Sequence, residues 1–301
     1  MPDTAGSPRH PNAASGDYQK KKGSYGFRFR IHHTQDLIMC RFRQIVPGIH
    51  LLEVPFFDGS HKTGVVVVNH GEQCAVIDSG ECSEAVDHCI IPALQLANIG
   101  KPDCILCTHN HGDHTGGHTR LREILRRPVY VYDADALGFP TAVDKVLHDG
   151  DLPIPGLRLI AAPGHTASAV CFLHEESGTL ISGDSFQGGG TEGVGLALIE
   201  DVPSYRESIH RMLSLDLQRI VAGHRFAPCD FVIEGPVRVR AFLQYCLDTT
   251  TRYESFIAQH ANEEDSVLTE RLIESEGRVC ERYIVRGDGT VRSFKKYLQK
   301  R

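Results

Sequence analysis

A layered α/β fold, with sheets buried between helices, is what this sequence of 301 residues predicts. Three observations carry that expectation. Short β-branched runs recur between glycine-containing turns, segments with helical apolar spacing alternate with them, and a composition of 41% hydrophobic and 23% charged residues is ordinary for a globular chain.

Residues 1–38 are polar, rich in Gly and Ser, and carry Lys20, Lys21 and Lys22, the pattern of a flexible tail. From Gln44 the pattern changes, and residues 45–54, 63–68 and 74–77 read as strands. Ser83 is placed to cap a helix running to Asn98, with Gly100 as its terminating glycine and Pro92 as a kink. Residues 104–107 form a compact apolar strand followed at once by a histidine-rich loop, and a helix starts near Gly116 and stops before Pro128. Residues 129–132, 157–161, 169–173 and 179–181 supply further strands. Ser204 and Glu207 have the form of a capping box opening a helix that ends near Leu215, and 219–222 is a last short strand. Beyond Pro236 the spacing of Val239, Phe242, Leu243, Cys246, Tyr253, Phe256 and Ile257 is helical, and 265–275 reads as a second helix. Residues 283–294 read as a hairpin turning at Gly287-Asp288-Gly289. The divisions are therefore a tail over 1–40, a main domain over 41–235 and a largely helical C-terminal extension over 236–301.

No apolar run approaches the roughly 20 residues of a membrane helix, so no spanning segment is expected. With 32 basic and 38 acidic groups the chain carries a net charge of −6, which argues against a nucleic-acid coat. Ten cysteines scattered through apolar patterns, with no secretory leader and no Asn-x-Ser/Thr acceptor, fit reduced thiols of a cytoplasmic protein. Cys104 and Cys107 have redox spacing, but three positions along a strand place them on opposite faces, a structural arrangement.

The chemistry is concentrated in Thr108-His109-Asn110-His111-Gly112-Asp113-His114-Thr115-Gly116-Gly117. His109 and His111 are two apart and point to one side of extended backbone; Gly112 then eases a turn that lets Asp113 and His114 aim at a neighbouring point. Imidazole and carboxylate ligands without thiolate suit zinc, iron or manganese. Three later stretches end strands on a candidate preceded by glycine: Gly164-His165, Gly183-Asp184 and Gly223-His224.

This ordered set resembles the metal signature of the metallo-β-lactamase-fold hydrolases over roughly residues 44–227. The resemblance implies a four-layer αββα sandwich with two divalent ions, most simply Zn2+, at one edge. It implies that His109, His111 and His165 hold one ion, that Asp113, His114 and His224 hold the other, and that Asp184 bridges both. Asp78 matches the early aspartate that orients the ligand loop. Two such ions would acidify a bridging water for attack on a carbonyl or phosphoryl centre, with Asp113 also orienting the nucleophile or relaying its proton. His118, Arg225 and Phe226 are candidates for substrate contact. Gly188, Gly189 and Gly190, with Gly193 and Gly195, lack the Lys-Ser/Thr of a phosphate loop and are expected to form a mobile flap beside Asp184.

The expected activity is hydrolysis of a small carbonyl substrate, a thioester, lactone or other ester. The alternatives are an endoribonuclease or phosphodiesterase of the same fold, favoured by a winged-type C-terminal piece, and an iron-dependent persulfide dioxygenase. Apolar positions such as Phe242 and Tyr253 are open to packing either inward or against a partner, so a homo-oligomer is compatible with the sequence.

Overall fold

Four consecutive valines organise the molecule. In a computed structural model that describes residues 40–56, 61–133, 138–191, 195–278 and 284–301, they lie in strand β3 (Lys62–His70). Val65 and Val67 face one apolar cluster and Val66 and Val68 another, as the two-residue period of a strand requires when both faces are buried.

β3 is an interior strand of a seven-stranded sheet in the order β1 (Arg43–Val46), β2 (Ile49–Pro55), β3, β4 (Gln73–Ile77), β5 (Cys104–Leu106), β6 (Val129–Tyr132), β7 (Lys145–Leu147). The first four are antiparallel and the last four parallel. A five-stranded sheet runs β12 (Val232–Glu234), β11 (Arg219–Ala222), β10 (Thr179–Gly183), β9 (Val170–His174), β8 (Leu157–Ala161). Leu51, Val66, Leu106, Leu159, Phe172 and Val221 are among the buried side chains filling the space between the sheets. At about 1.5–3 kcal/mol for each fully buried side chain of this kind, that layer is a principal source of stability. The outer face of the first sheet is covered by α1 (Ser83–Ala85), a π-helical turn (Val86–Ile90), α2 (Ile91–Leu96) and α4 (His118–Leu125); short α3 (Gly112–Thr115) holds the histidine-rich loop. The outer face of the second sheet is covered by α5 (Val202–Leu213), α6 (Pro236–Gln259), α7 (Asp265–Ser275) and α8 (Ile284–Gln299). This is the expected αββα layering with a helical C-terminal region.

Several local expectations are corrected. The single strand over 45–54 is two strands turning at Pro47-Gly48, where Gly48 has φ +82°. Pro92 does interrupt its helix, but the disturbance lies upstream as the π-helical turn. Proline offers no N–H to the fourth residue back, and the widened turn absorbs that loss. Asn98, not Gly100, takes the left-handed conformation at the helix end, with φ +51°. Helix α5 starts at Val202 and is capped by Asp201, whose carboxylate accepts from the Ser204 N–H at 3.0 Å; Ser204 is the recipient of the cap. Strands β7 and β12, of three residues each, carry too little pattern to be read alone. Cys104 packs between the sheets and Cys107 on the opposite face, as their odd spacing requires. The nine described cysteines are free thiols, with Cys40 Sγ 2.6 Å from Cys89 Sγ. The tail over 1–38 lies outside the described residues.

The expected hairpin is instead helix α8 in its described part, and Tyr283 lies outside the described residues. Gly287 is not a turn residue: a Cβ there would meet Thr269 Cγ2 at 2.5 Å, so it lets α8 approach α7. Val291 and Phe294, three apart and fully buried, supply the face, with the Phe294 ring 6.0 Å from that of Tyr253. Tertiary burial overrides the local turn signal. Gly289, where an added Cβ would meet nothing within 4 Å, faces open space and weakens the helix. Gly289→Ala is therefore expected to stabilise the protein by about 0.5–1 kcal/mol, whereas Gly287→Ala destabilises it by about 1–3 kcal/mol through overpacking. Urea denaturation of the two variants checks both signs.

The glycine run also differs from expectation. Gly188, Gly189 and Gly190 are buried: Gly188 N–H donates to Cys246 Sγ, and Gly189 N–H to the Ala227 carbonyl at 2.9 Å. They form a packed turn rather than a flap, and Gly193 lies outside the described residues.

Candidate metal centre

The strand ends at one edge of the sandwich converge on a single hollow. Gly64 N–H on β3 donates to the Gly223 carbonyl at 2.7 Å, joining the two sheets beside it. Gly116 and Gly117 bring the histidine-rich loop down: a Cβ would lie 1.9 Å from Glu81 O at the first and 2.3 Å from Ser79 O at the second. At Gly223 a Cβ would strike Asp184 Oδ1 at 2.3 Å and His114 Cε1 at 2.8 Å. The glycine preceding His224 is thus needed for close approach, as its sequence position suggests.

All seven side chains singled out by the motif meet here. Donor atoms of His109, His111 and His165 lie within 4.8 Å of one another, and those of Asp113, His114 and His224 do the same. Asp184 stands between the two groups: its Oδ2 is 3.9 Å from His165 Nε2 and 3.5 Å from His224 Nε2. His109, His114, His165, Asp184 and His224 are buried; His111 and Asp113 are partly exposed at the mouth.

The protons of three imidazoles are fixed from outside the hollow. Asp78 Oδ2 accepts from His114 Nδ1 at 2.8 Å. The Thr108 hydroxyl donates to the same carboxylate oxygen at 2.8 Å, so its oxygen accepts from His109 Nδ1 at 3.1 Å. The Lys62 carbonyl accepts from His224 Nδ1 at 2.7 Å. A neutral ring therefore turns its Nε2 lone pair inward, whereas an added proton on His114 or His224 stands on Nε2 inside the hollow, where His224 Nε2 lies 3.0 Å from Asp113 Oδ2. His114 Nε2 and His224 Nε2 face each other at 3.2 Å, and His109 Nε2 and Asp184 Oδ1 are buried with no hydrogen-bond partner. Lone pairs at that distance repel unless a proton or a cation lies between them, and orphaned buried acceptors cost about 1–3 kcal/mol each. A cation among them converts both penalties into coordination, and imidazole nitrogens with carboxylate oxygens suit a borderline divalent metal.

The electrostatics show that the hollow attracts positive charge, as a proton or as a cation. Burial, then the neighbouring imidazoles, hold His109 well below the ordinary histidine range and push His111 down to about 4. Burial also opposes charge on His114, but Asp184, Asp78 and Asp113 together overcome it and raise its proton affinity well above normal. Burial likewise opposes ionisation of Asp113 and Asp184, and the surrounding histidines reverse it, keeping both carboxylates charged.

The remaining candidates take other positions. Asp78, at φ +64° and 1% exposed, also accepts from the Thr108 N–H at 2.8 Å, locking the base of the loop. His118 is fully buried with its Nδ1 2.7 Å from Ser79 Oγ and its ring against Phe139, outside the cluster. Phe226 is buried with its ring 5.8 Å from that of His224. Arg225 is exposed and pairs with Asp230 at 2.9 Å. Residues that spacing does not reveal are Thr108, Gln187 and Thr290. Gln187 Nε2 and the Leu198 carbonyl both lie 2.9 Å from His165 Nδ1. Thr290 on α8 accepts from the Ile199 N–H at 3.0 Å. Beside His111 and His165 a cavity of about 270 Å³ is lined by Leu198, Ile199, Glu200, Gly289 and Thr290, so α8 forms one of its walls.

Comparison with known proteins agrees with this architecture. A family profile described as the metallo-beta-lactamase superfamily matches residues 59–224. A hydroxyacylglutathione hydrolase of Klebsiella pneumoniae is 32% identical over 145 residues, covering 47% of this chain and 53% of that protein. An atrochrysone carboxyl ACP thioesterase of Aspergillus fumigatus is 28% identical over 170 residues, 54% of this chain and 50% of that one. The chain thus spans about half the length of the curated relatives it matches. A metallo-beta-lactamase family protein of Thermus thermophilus superposes with a TM-score of 0.64 at 21% identity, covering 85% of this chain and 95% of that one.

Proposed function

This chain belongs to the metallo-beta-lactamase superfamily, and we propose that it is a metal-dependent hydrolase of small carbonyl substrates, thioesters first, with lactones and other esters as close alternatives. The observation that carries the reading is the inward-facing acceptor cluster opening on a cavity with a partly apolar wall. His109, His111 and His165 would hold one divalent ion and Asp113, His114 and His224 a second, with Asp184 shared; we assign zinc. Bound there, the pair supplies an acidified water and a Lewis acid for the substrate oxygen.

The chain's own residues do the rest. Asp78, Thr108 and the Lys62 carbonyl keep the imidazole protons turned away from the reacting centre. Asp113, whose side chain is 16% exposed against 7% for Asp184, is the carboxylate placed to orient a water and take its proton. Leu198, backed by the buried Ile199, offers apolar surface to the acyl portion and excludes water from it. Two relatives whose names specify an acylglutathione hydrolase and an ACP thioesterase support thioesters as the first substrate class. Free cysteines throughout the described residues support a cytoplasmic setting. The ribonuclease reading loses its winged piece, because α8 replaces the hairpin.

Elemental analysis of purified protein, with a panel of thioesters, lactones, β-lactams and short RNAs, tests this. Two zinc ions per chain with thioester or lactone turnover is the expected result. RNA cleavage without ester turnover would reassign the substrate, and iron with sulfite formed from glutathione persulfide would reassign the reaction.

A further inference from the structure

A second group of metal-binding side chains lies at the far end of the sandwich. His70 closes β3 in the seven-stranded sheet, His174 closes β9 in the five-stranded sheet, and Glu176 follows in the turn to β10. Their donor atoms lie within 4.8 Å of one another. Lys62, whose carbonyl holds His224, begins β3 and His70 ends it; at about 3.3 Å per residue the two ends stand roughly 25 Å apart.

His174 is 2% exposed, and its proton is fixed in the same manner as those of the first centre. The Ser177 hydroxyl donates to Thr179 Oγ1 at 2.8 Å, so Ser177 Oγ accepts from His174 Nδ1, also at 2.8 Å. Nε2 is left with its lone pair, the state in which histidine meets a metal while its other nitrogen is held. The His70 ring is seated against Gly156, where a Cβ would lie 2.7 Å from Cε1, and it meets His174 edge-on with centroids 5.8 Å apart.

We propose that His70, His174 and Glu176 bind a divalent transition-metal ion of the zinc class, which clips the two sheets together at the end opposite the first centre. Two histidines and a glutamate are a donor set zinc accepts, with water completing its shell. Ligand atoms on a four-coordinate zinc with bonds of about 2.1 Å lie roughly 3.4 Å apart, so binding requires the three donors, now within 4.8 Å of one another, to draw together, with the exposed Glu176 side chain free to turn.

Zinc titration of the full chain, followed by equilibrium dialysis and thermal unfolding, tests the clip. His70→Gln and Glu176→Gln are each expected to bind one zinc equivalent at least tenfold more weakly than the parent and to lose part of the zinc-dependent rise in Tm. Ser177→Ala, which removes no ligand, is expected to weaken the same equivalent by about 10–100-fold. Glu176→Gln is exposed and folds irrespective of the metal, so unchanged zinc stoichiometry and affinity in that variant overturn the proposal. The residues are separate from those of the first centre. His111→Ala with an undiminished zinc complement shows that the first assignment has failed, and His70→Gln with an undiminished complement shows that the second has.

Discussion

His111→Ala should yield a folded protein that holds less metal and turns over its substrate about a thousandfold more slowly. The direction follows from geometry: His111 Nδ1 faces His165 Nε2 at 3.1 Å, and its ring lies 4.7 Å from both the His109 and His165 rings at the mouth of the cavity. Removing it opens one of the two donor groups. The magnitude follows from the several kcal/mol of charge stabilisation a bound cation contributes, at about 1.4 kcal/mol per tenfold in rate. The fold should survive because the structural duties of this residue belong to its backbone. Its carbonyl accepts from the His114 and Thr115 N–H groups, each at 3.0 Å, and from the Thr115 hydroxyl at 3.0 Å. The side chain is only partly buried among other imidazoles, so stability without metal should change by about 1 kcal/mol or less. Metal content, kcat/KM and thermal unfolding on one preparation check the three parts together. Full turnover by a metal-free variant would sink the mechanism.

What was legible in the sequence depended on how far apart the cooperating residues lie. His109, His111, Asp113 and His114 occupy six consecutive positions, so their convergence follows from strand and turn geometry. His165, Asp184 and His224 were found because each follows a glycine at a strand end, and Gly223 shows why: no side chain fits against Asp184 there. Thr108 stands in the motif but nothing local marks its task, which depends on Asp78, 30 positions earlier. Thr290 contacts Ile199 from 91 positions away, and nothing local marks it. Helix α8 was misread for the same reason: Gly287-Asp288-Gly289 is a turn signal in isolation, and only the approach of Thr269 makes Gly287 a packing residue. The strand alternation that builds the two sheets is local and was visible; three-residue strands at the sheet margins carry too little of it.

Asp78 separates two consequences that most buried residues confound, namely holding the fold and setting a proton. Its carboxylate accepts from the Thr108 N–H and hydroxyl and from His114 Nδ1, and through Thr108 it governs His109 as well. Asp78→Ala leaves those donors without an acceptor, strands His114 beside Asp184 and Asp113, and places alanine at φ +64°. A loss of about 3–5 kcal/mol is expected from breaking a buried pair on one side, with metal affinity reduced about 10–100-fold. Asp78→Asn behaves differently. Asparagine tolerates the left-handed conformation, preserves the volume and keeps one oxygen for the Thr108 N–H, so most of the stability should remain. Its amide nitrogen then faces Thr108 Oγ1 and His114 Nδ1, and a donor there favours the tautomer of His114 with the proton on Nε2, pointing into the hollow. The expected result is a stable variant whose zinc affinity falls at least tenfold, read by chemical denaturation and competitive chelation on the same samples. Were the asparagine variant to bind zinc as tightly as the parent, the outward placement of the imidazole protons could not be what prepares this site. The ligand loop would then owe its function to position alone.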